Sequence, residues 1–357
     1  MKPSSQSRVR VMVVEDSLVV RQLLAHIIAR DPRLVLAAAV GSAEEALQEI
    51  GRVQPDVISM DIRLPGMDGL EATRRIMTER PTPIVVIAGS VEDSALQISM
   101  NALRAGALSV VEKPVGVTSA GYDGIAETIC TQLYIMSQVP VVRRRSFAWR
   151  PDTPPPSLAK EETRGIARPT ILGIAASTGG PPALAKILGA LPGDFPLPIL
   201  LVQHMGAPFM EGFASWLDGL IALEARLARD HEVPVAGKVY VAPGDRHLLL
   251  SPGGTLRLSA APPVGGQRPS ATLMFESIAE SVGAKGLGVL LTGMGEDGAK
   301  GLTDLRRAGG YTVAEHESTA VVYGMPAAAV KMGGARVSLP LDLIAPRLLR
   351  LARGESA

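Results

Sequence analysis

Short apolar runs alternate along this chain with segments whose apolar positions recur at helical spacing. The runs Val9–Val14, Leu34–Ala39, Val57–Met60, Ile84–Ala88 and Ser109–Val111 have strand length. Helices are predicted between them over Leu18–Ala29, Ala43–Ile50, Leu70–Thr78 and Ser94–Arg104, and a last one over Tyr122–Ser137. Near-continuous apolar runs separated by amphipathic helices are the mark of a parallel sheet covered on both faces. From Gln138 to Pro169 the periodicity disappears and proline rises, with Arg143-Arg144-Arg145 ahead of Pro154-Pro155-Pro156, as in an extended solvated linker. The alternation then resumes, with strands expected at Ile171–Ala175, Pro198–Val202, Lys238–Val241, Leu287–Thr292, Tyr311–Ala314 and Val337–Leu339. Helices are expected at Ala183–Leu191, Ala299–Ala308, Val321–Met332 and Leu343–Leu351, and a β-hairpin at Leu248–Leu258, where two apolar runs flank Pro252-Gly253-Gly254. The fold class that follows is α/β, with two doubly wound parallel-sheet domains: 1–137, a linker 138–169, and 170–357.

Composition narrows the function classes. The length of 357 residues suits two or three domains. Only 3% of residues are aromatic, so the cores are expected to be packed by Ala, Val, Ile and Leu. Lys+Arg 36 against Asp+Glu 35 leaves a formal net charge of +1, which offers no footprint for nucleic acid. Cys130 is the single cysteine, so neither an internal disulfide nor a thiolate metal cluster can form. The first apolar run stops at Glu15-Asp16, which argues against a signal peptide, and no apolar stretch approaches the ~18 residues of a membrane span. A cytoplasmic monomer without membrane insertion is expected.

In doubly wound folds, chemistry gathers at the carboxyl ends of the strands. In the first domain these ends carry Glu15 and Asp16, Asp61, and Lys113. Each alone could be a solvated loop residue. Together, three carboxylates in one crevice call for a divalent cation, and all-oxygen ligation favours Mg²⁺. Asp61 could then attack a phosphoryl donor, with Lys113 as a point charge on the phosphate.

In the second domain the stretch Ile171 to Pro182 runs from strand through Ser177-Thr178-Gly179-Gly180 into a helix. Such a turn can cradle phosphate on free N–H groups or present a hydroxyl beside oxyanion donors. The glycine spacing fits neither a dinucleotide fingerprint nor a Walker loop, and the next strand ends in Gln203-His204 rather than an acid. Acyl chemistry needs a base beside the serine and a carboxylate to orient that base. His204 ends the second strand and Asp297 follows the strand around Leu287–Leu291. Parallel pairing would bring Ser177, His204 and Asp297 to one edge. Taken singly, Ser177 reads equally as a helix N-cap, and Asp297 or Glu296 as a cap of the helix that follows.

The motifs themselves carry resemblances. Val13-Val14-Glu15-Asp16-Ser17, Met60-Asp61-Ile62-Arg63-Leu64-Pro65-Gly66-Met67-Asp68-Gly69 and Lys113-Pro114 resemble a two-component receiver domain. The resemblance implies phosphorylation of Asp61 by a chemotaxis histidine kinase, with Mg²⁺ held by Asp16, Asp61 and the Arg63 backbone carbonyl and by Glu15 through water. Such receivers end the fourth strand in Ser or Thr and carry an aromatic residue on the fifth. Here those positions are Ala88 and Val110, with Ser90 two residues beyond, which leaves the usual coupling without its two residues.

Ala176-Ser177-Thr178-Gly179-Gly180-Pro181, Val202-Gln203-His204-Met205, Ala242-Pro243-Gly244-Asp245-Arg246-His247, Arg268-Pro269-Ser270 and Leu291 through Ala299 resemble the chemotaxis protein-glutamate methylesterases, the CheB family. That resemblance implies a (βα)5 receiver followed by a Rossmann-like α/β/α hydrolase domain with an inserted hairpin. It implies a serine hydrolase that demethylates glutamate γ-methyl esters, releasing methanol, and deamidates glutamines on methyl-accepting chemotaxis receptors. Ser177 would be the nucleophile, His204 the base and acid, Asp297 the orienting carboxylate, and the N–H groups of Thr178 and Met294 the oxyanion donors, with no cofactor for this step. Ala271-Thr272, where the family often has an acidic residue, would lie nearer to substrate binding than to chemistry. Recruitment to membrane receptor arrays, and a receiver that covers the active-site crevice until phosphorylated, are further implications. The alternatives are a non-catalytic receiver-type protein acting as phosphate sink or docking module, and a DNA-binding regulator, which lacks a helix-turn-helix here.

Overall fold

Apolar runs without polar alternation suit strands that are covered on both faces, and the computed structural model pairs them so. It describes residues 8–89, 102, 105–114, 122–139 and 167–354, and the chain divides into two compact units, Met1–Ala148 and Trp149–Ala357.

The first unit holds β1 (Val9–Val14), α1 (Leu18–Arg30), β2 (Leu34–Val40), α2 (Ala43–Val53), β3 (Val57–Met60), α3 (Gly69–Glu79), β4 (Ile84–Ala88), β5 (Ser109–Glu112) and α4 (Tyr122–Met136). The strands form one parallel sheet in the order β2-β1-β3-β4-β5. The chain starts in the interior of the sheet at β1, so β1 and β3 diverge at a switch point. That places the ends of these two strands side by side. Serine and aspartate set the helix starts: Ser17, Ser42 and Asp68 each accept a backbone N–H of the first turn of α1, α2 and α3. The helix predicted over Ser94–Arg104 falls almost wholly outside the described residues, as do Ser90, Arg143–Arg145 and most of the expected linker.

The second unit contains β6 (Ile171–Ala176), α5 (Gly180–Gly189), β7 (Ile199–Gln203), α6 (Met210–Asp218), β8 (Glu224–Leu227), β9 (Lys238–Val241), β10 (His247–Leu250), β11 (Leu256–Ser259), α7 (Ala271–Val282), β12 (Gly286–Leu290), α8 (Ala299–Arg307), β13 (Tyr311–Glu315), α9 (Met325–Lys331), β14 (Val337–Leu339) and α10 (Leu341–Arg353). Its seven-stranded parallel sheet runs β14-β13-β12-β6-β7-β9-β8. From β6 the chain winds one way through β7, then returns to β12 on the other side. β6, β7 and β12 are therefore neighbours whose carboxyl ends share one crevice. β10 and β11 form the expected antiparallel hairpin.

Three differences from the sequence reading have physical causes. β8, with the sequence Glu224-Ala225-Arg226-Leu227, is an edge strand whose charges pair outward with Lys238 and Glu232, so it carries no apolar run to read. α9 starts at Met325 rather than Val321, because Val322 and Gly324 spend their backbone groups on Gly293 of a neighbouring loop. The aliphatic packing expected throughout holds in the first unit, but the second concentrates the few aromatics: Phe195, Phe209, Phe213, Phe275, Tyr240 and Tyr311 are all fully buried there.

Candidate active site

Residue pairing across β6 and β7 sets Ala176 opposite Gln203, so Ser177 and His204 follow at adjacent strand ends. The ends are tied together by backbone and side chain. The His204 amide donates to the Ala176 carbonyl at 3.0 Å, and buried Gln203 donates Nε2 to the carbonyls of both Ser177 and His204 at 2.9 Å. On the opposite side, the Ser177 amide donates to Thr292 O at 3.0 Å, while Thr292 Oγ1 donates to Thr178 O at 2.9 Å. The loop after β12 is thereby fastened to the turn after β6. A side chain at Gly293 would meet Ser177 Cβ at 2.8 Å and Met325 Sδ at 2.2 Å, so only glycine permits this approach.

The turn does not use Ser177 as a helix cap. α5 begins after Gly179, which has φ 77° and no side-chain bond, and Pro181 and Pro182 occupy the first turn, where no intrahelical N–H is needed. Among the described residues, neither the Thr178 nor the Met294 amide is taken up by an intramolecular acceptor. The structure thus brings two spare amides to the strand ends that carry Ser177.

Asp297 does not cap the helix that follows it either, since α8 starts after Gly298 without a side-chain bond. Its carboxylate lies at the start of α7. Oδ2 accepts from the Ala271 amide at 2.7 Å and meets His204 Nε2 at 2.9 Å. Oδ1 accepts from Ser270 Oγ at 2.8 Å and from the Thr272 amide at 3.0 Å. Four donors and a helix N-terminus favour negative charge here. Burial by itself would push the Asp297 carboxyl up. The bond and charge of His204, with Thr272 and the Ala271 amide, outweigh it and hold the carboxyl well below the usual carboxylate range. Both side chains are only 8% exposed, so solvent screens the pair little. With Nε2 turned to Asp297, Nδ1 is the ring nitrogen His204 has left for another partner.

Ala271-Thr272 has a different role from the one expected. Its amides bind Asp297, and Thr272 Oγ1 accepts from the Gly298 amide at 2.8 Å, so the pair orients the carboxylate and the loop that carries it. Ser270 is the residue the sequence reading left without a role. It caps α7, and its bond to Asp297 spans 27 positions and arises only from packing.

In the first unit, Glu15 and Asp16 after β1 and Asp61 after β3 bring carboxylate oxygens within 4.8 Å of one another. Lys113 Nζ lies 2.8 Å from Glu15 Oε2 and from Asp61 Oδ2, with hydrogen-bond geometry to Asp61. Burial favours a neutral Lys113, but its bonds to Asp61 and Glu15 prevail and hold the ammonium above its ordinary range. Burial pushes the Glu15 carboxyl up, with the nearby Asp61 adding to it and Lys113 offsetting part. The Arg63 amide donates to Asp61 Oδ1 at 3.3 Å. Buried Ala88 ends β4, and its carbonyl accepts from the Lys113 amide at 2.9 Å, while Val110 pairs with Val86 further inward.

Both parts of the chain are similar to known proteins. The family model described as CheB methylesterase matches residues 172–348, and the one described as response regulator receiver domain matches residues 11–119. A protein-glutamate methylesterase/protein-glutamine glutaminase of Paramagnetospirillum magneticum is 56% identical over 355 residues, which cover 98% of this chain and 99% of that one. A protein of the same description from Myxococcus xanthus is 44% identical, covering 97% of each. The crystal structure of the Thermotoga maritima CheB methylesterase catalytic domain superposes with a TM-score of 0.50 at 38% identity, covering 52% of this chain and all of that one.

Proposed function

The chain belongs to the CheB methylesterase family, and from that premise we propose a phosphorylation-regulated hydrolase in which Ser177, His204 and Asp297 open glutamate γ-methyl esters and glutamine side-chain amides of chemotaxis receptors. The observation that carries the assignment of residues is the convergence of Ser177, His204 and a four-donor Asp297 at the ends of β6, β7 and beyond β12.

Each proton has a place. Ser177 Oγ attacks the γ-carbonyl carbon as its proton passes to His204 Nδ1. The resulting oxyanion is received by the amides of Thr178 and Met294. His204 returns the proton to the departing methoxide, releasing methanol, or to the departing amide nitrogen, releasing ammonia. Water then opens the acyl-serine by the same steps and leaves a glutamate carboxylate. Asp297 takes no proton; it stays ionised, fixes the ring and stabilises the imidazolium.

The receiver half controls this reaction. Glu15, Asp16, Asp61 and the Arg63 carbonyl would hold Mg²⁺, and the donor set suits it: all oxygen, with three carboxylates beside the ammonium of Lys113. Bound there, the ion neutralises charge on phosphoryl oxygens. Asp61 accepts the phosphoryl group from a chemotaxis histidine kinase, and Lys113 remains its protein cation. Among the described residues no helix is long and apolar enough to cross a membrane; we place the protein in the cytoplasm, recruited to receptor arrays as a monomer. The domain limits 1–137 and 170–357, joined by 138–169, belong to the same reading.

Methanol release from methylated receptor tests it. Ser177→Ala is expected to lower kcat by about 10⁶-fold. Release no faster than the uncatalysed background by wild type and variant alike would leave the non-catalytic receiver reading, and equal release above it would remove Ser177 as the nucleophile.

A further inference from the structure

The hairpin β10–β11 is an addition to the doubly wound sheet, and its first residue is the fully buried His247. Both ring nitrogens are engaged. Nδ1 lies 3.1 Å from the Ser270 amide, and Nε2 lies 3.2 Å from the Pro262 carbonyl. A backbone amide can only donate and a carbonyl can only accept. Nδ1 is therefore the acceptor and Nε2 carries the proton, which defines one neutral tautomer.

The partner of Nδ1 matters because of its position. Ser270 is the N-cap of α7, in extended conformation with φ −107°, so its own N–H lies outside the helical ladder. Ser270 is fully buried, and that N–H would have no water to turn to. Its hydroxyl accepts from the Leu273 amide at 3.4 Å and donates to Asp297 Oδ1 at 2.8 Å. The next two amides, Ala271 and Thr272, also bind Asp297. Three of the four donors on Asp297 are thus set by where α7 begins, and His247 fixes that beginning. β10 is fastened to the same helix further along. The Leu250 amide donates to Ser277 Oγ at 3.0 Å, and Ser281 Oγ donates to Leu250 O at 2.9 Å. The hairpin lies along α7 as a splint.

We infer that His247 is a positioning residue for the esterase reaction, acting through Ser270 and the N-terminus of α7 to aim Asp297 at His204 Nε2. This rests on the proposed assignment of Ser177, His204 and Asp297. The inserted hairpin then belongs to the catalytic apparatus through its first rung.

The test compares His247→Leu, His247→Asn and His247→Gln in the full chain. Asparagine places an acceptor near the position of Nδ1, glutamine places its polar group near Nε2, and leucine offers neither. Methanol release would be measured as kcat and KM, and ¹⁵N NMR of labelled histidine would report the His204 ring tautomer, assigned by the signal lost in His204→Gln. His247→Leu is expected to lose about 10²-fold in kcat, the scale of an ångström-sized misplacement. KM should stay within about twofold, and the Nε2–H tautomer of His204 should give way to a mixture. His247→Asn should restore kcat to within roughly threefold of wild type and restore the tautomer. Wild-type kcat and tautomer in a folded His247→Leu would overturn the inference, as would His247→Asn no better than His247→Leu. Should the leucine variant fail to fold, asparagine near wild type with glutamine impaired supports the inference, and equal behaviour of those two overturns it. Absence of methanol release from wild type would instead remove the esterase reading, with the His204 tautomer still reporting whether His247 sets the pair.

Discussion

Asp297 satisfies four donors with two oxygens, and that count decides what a single substitution there costs. Asparagine keeps one acceptor oxygen and turns an NH₂ toward a backbone amide, Ala271 or Thr272, that can only donate, so part of the cluster must separate. Asp297→Asn is expected to lower kcat by about 10⁴-fold, because the His204 ring loses the acceptor that fixes its tautomer. Stability should fall with it by roughly 1–3 kcal/mol at neutral pH, the cost of buried donors left unmatched. The pH dependence has a definite sign. Asp297 is held below its unfolded value, so its contribution is present above that value, about 3.9, and is lost as pH falls toward the folded one. Denaturant unfolding of wild type and variant between pH 3 and 7 checks this. The gap should be widest at neutral pH and narrow below about pH 4; a gap that widens on acidification would contradict the assignment. Glu315 works in the opposite sense. Burial pushes its carboxyl up while it accepts from the Thr292 amide just after β12, so its ionised form opposes folding rather than supporting it.

At the scale of elements, the turn from β6 into α5 depends on Gly179 in two ways. Its φ of 77° is disfavoured for any residue with a side chain, and a Cβ there would lie 2.5 Å from Val321 Cβ. Gly179→Ala is expected to cost ~1–2 kcal/mol for the backbone and a further ~1–3 kcal/mol for displacing Val321. Thermal unfolding would register the sum, and methanol release should fall because the Thr178 amide moves with the turn. A variant with unchanged melting temperature would show that the turn tolerates a side chain after all. The same turn illustrates what periodicity can reveal. β1, β3, β4, β9 and β14 begin and end where the apolar runs place them, because each run is bounded closely by polar, glycine or proline residues that do not continue it. Strand order then assembles Ser177 and His204, because parallel neighbours share an edge. The surroundings of Asp297 were not legible in that way. Its contacts with Ser270, Ala271 and Thr272 join segments about 26 residues apart through packing, and no local spacing announces them. The motif around Asp245 contains His247, but its part in the site was not legible for the same reason, since its partner amide belongs to another element.

For the whole molecule, the question is how charge added at Asp61 changes work done at Ser177. A modified Asp61 can alter esterase activity only if it shifts the balance between states of the chain that differ in activity. Couplings of this kind typically span about 5–150-fold. The receiver crevice supplies the charges for phosphorylation, but β4 ends in Ala88 and β5 carries Val110, so neither a hydroxyl nor an aromatic ring stands at these positions to report the phosphoryl group. What does connect β4 to the crevice is Lys113, bonded to Asp61 through Nζ and to the Ala88 carbonyl through its amide. A phosphoryl group on Asp61 would draw the ammonium from its carboxylate partners and move the end of β4 through that amide. A small phosphodonor such as acetyl phosphate, given with Mg²⁺, is therefore expected to raise methanol release by the intact chain toward the lower end of that range, roughly fivefold. Asp61→Asn should abolish the rise while retaining basal release, since Asp61 lies in the first unit and the proposed esterase residues in the second. Ala88→Thr, which returns a hydroxyl to the end of β4, should enlarge the rise, and Lys113→Ala should suppress it. A full response from Lys113→Ala would show that the signal leaves the crevice by another route; no response in wild type, with Asp61 demonstrably phosphorylated, would mean that the two units work independently.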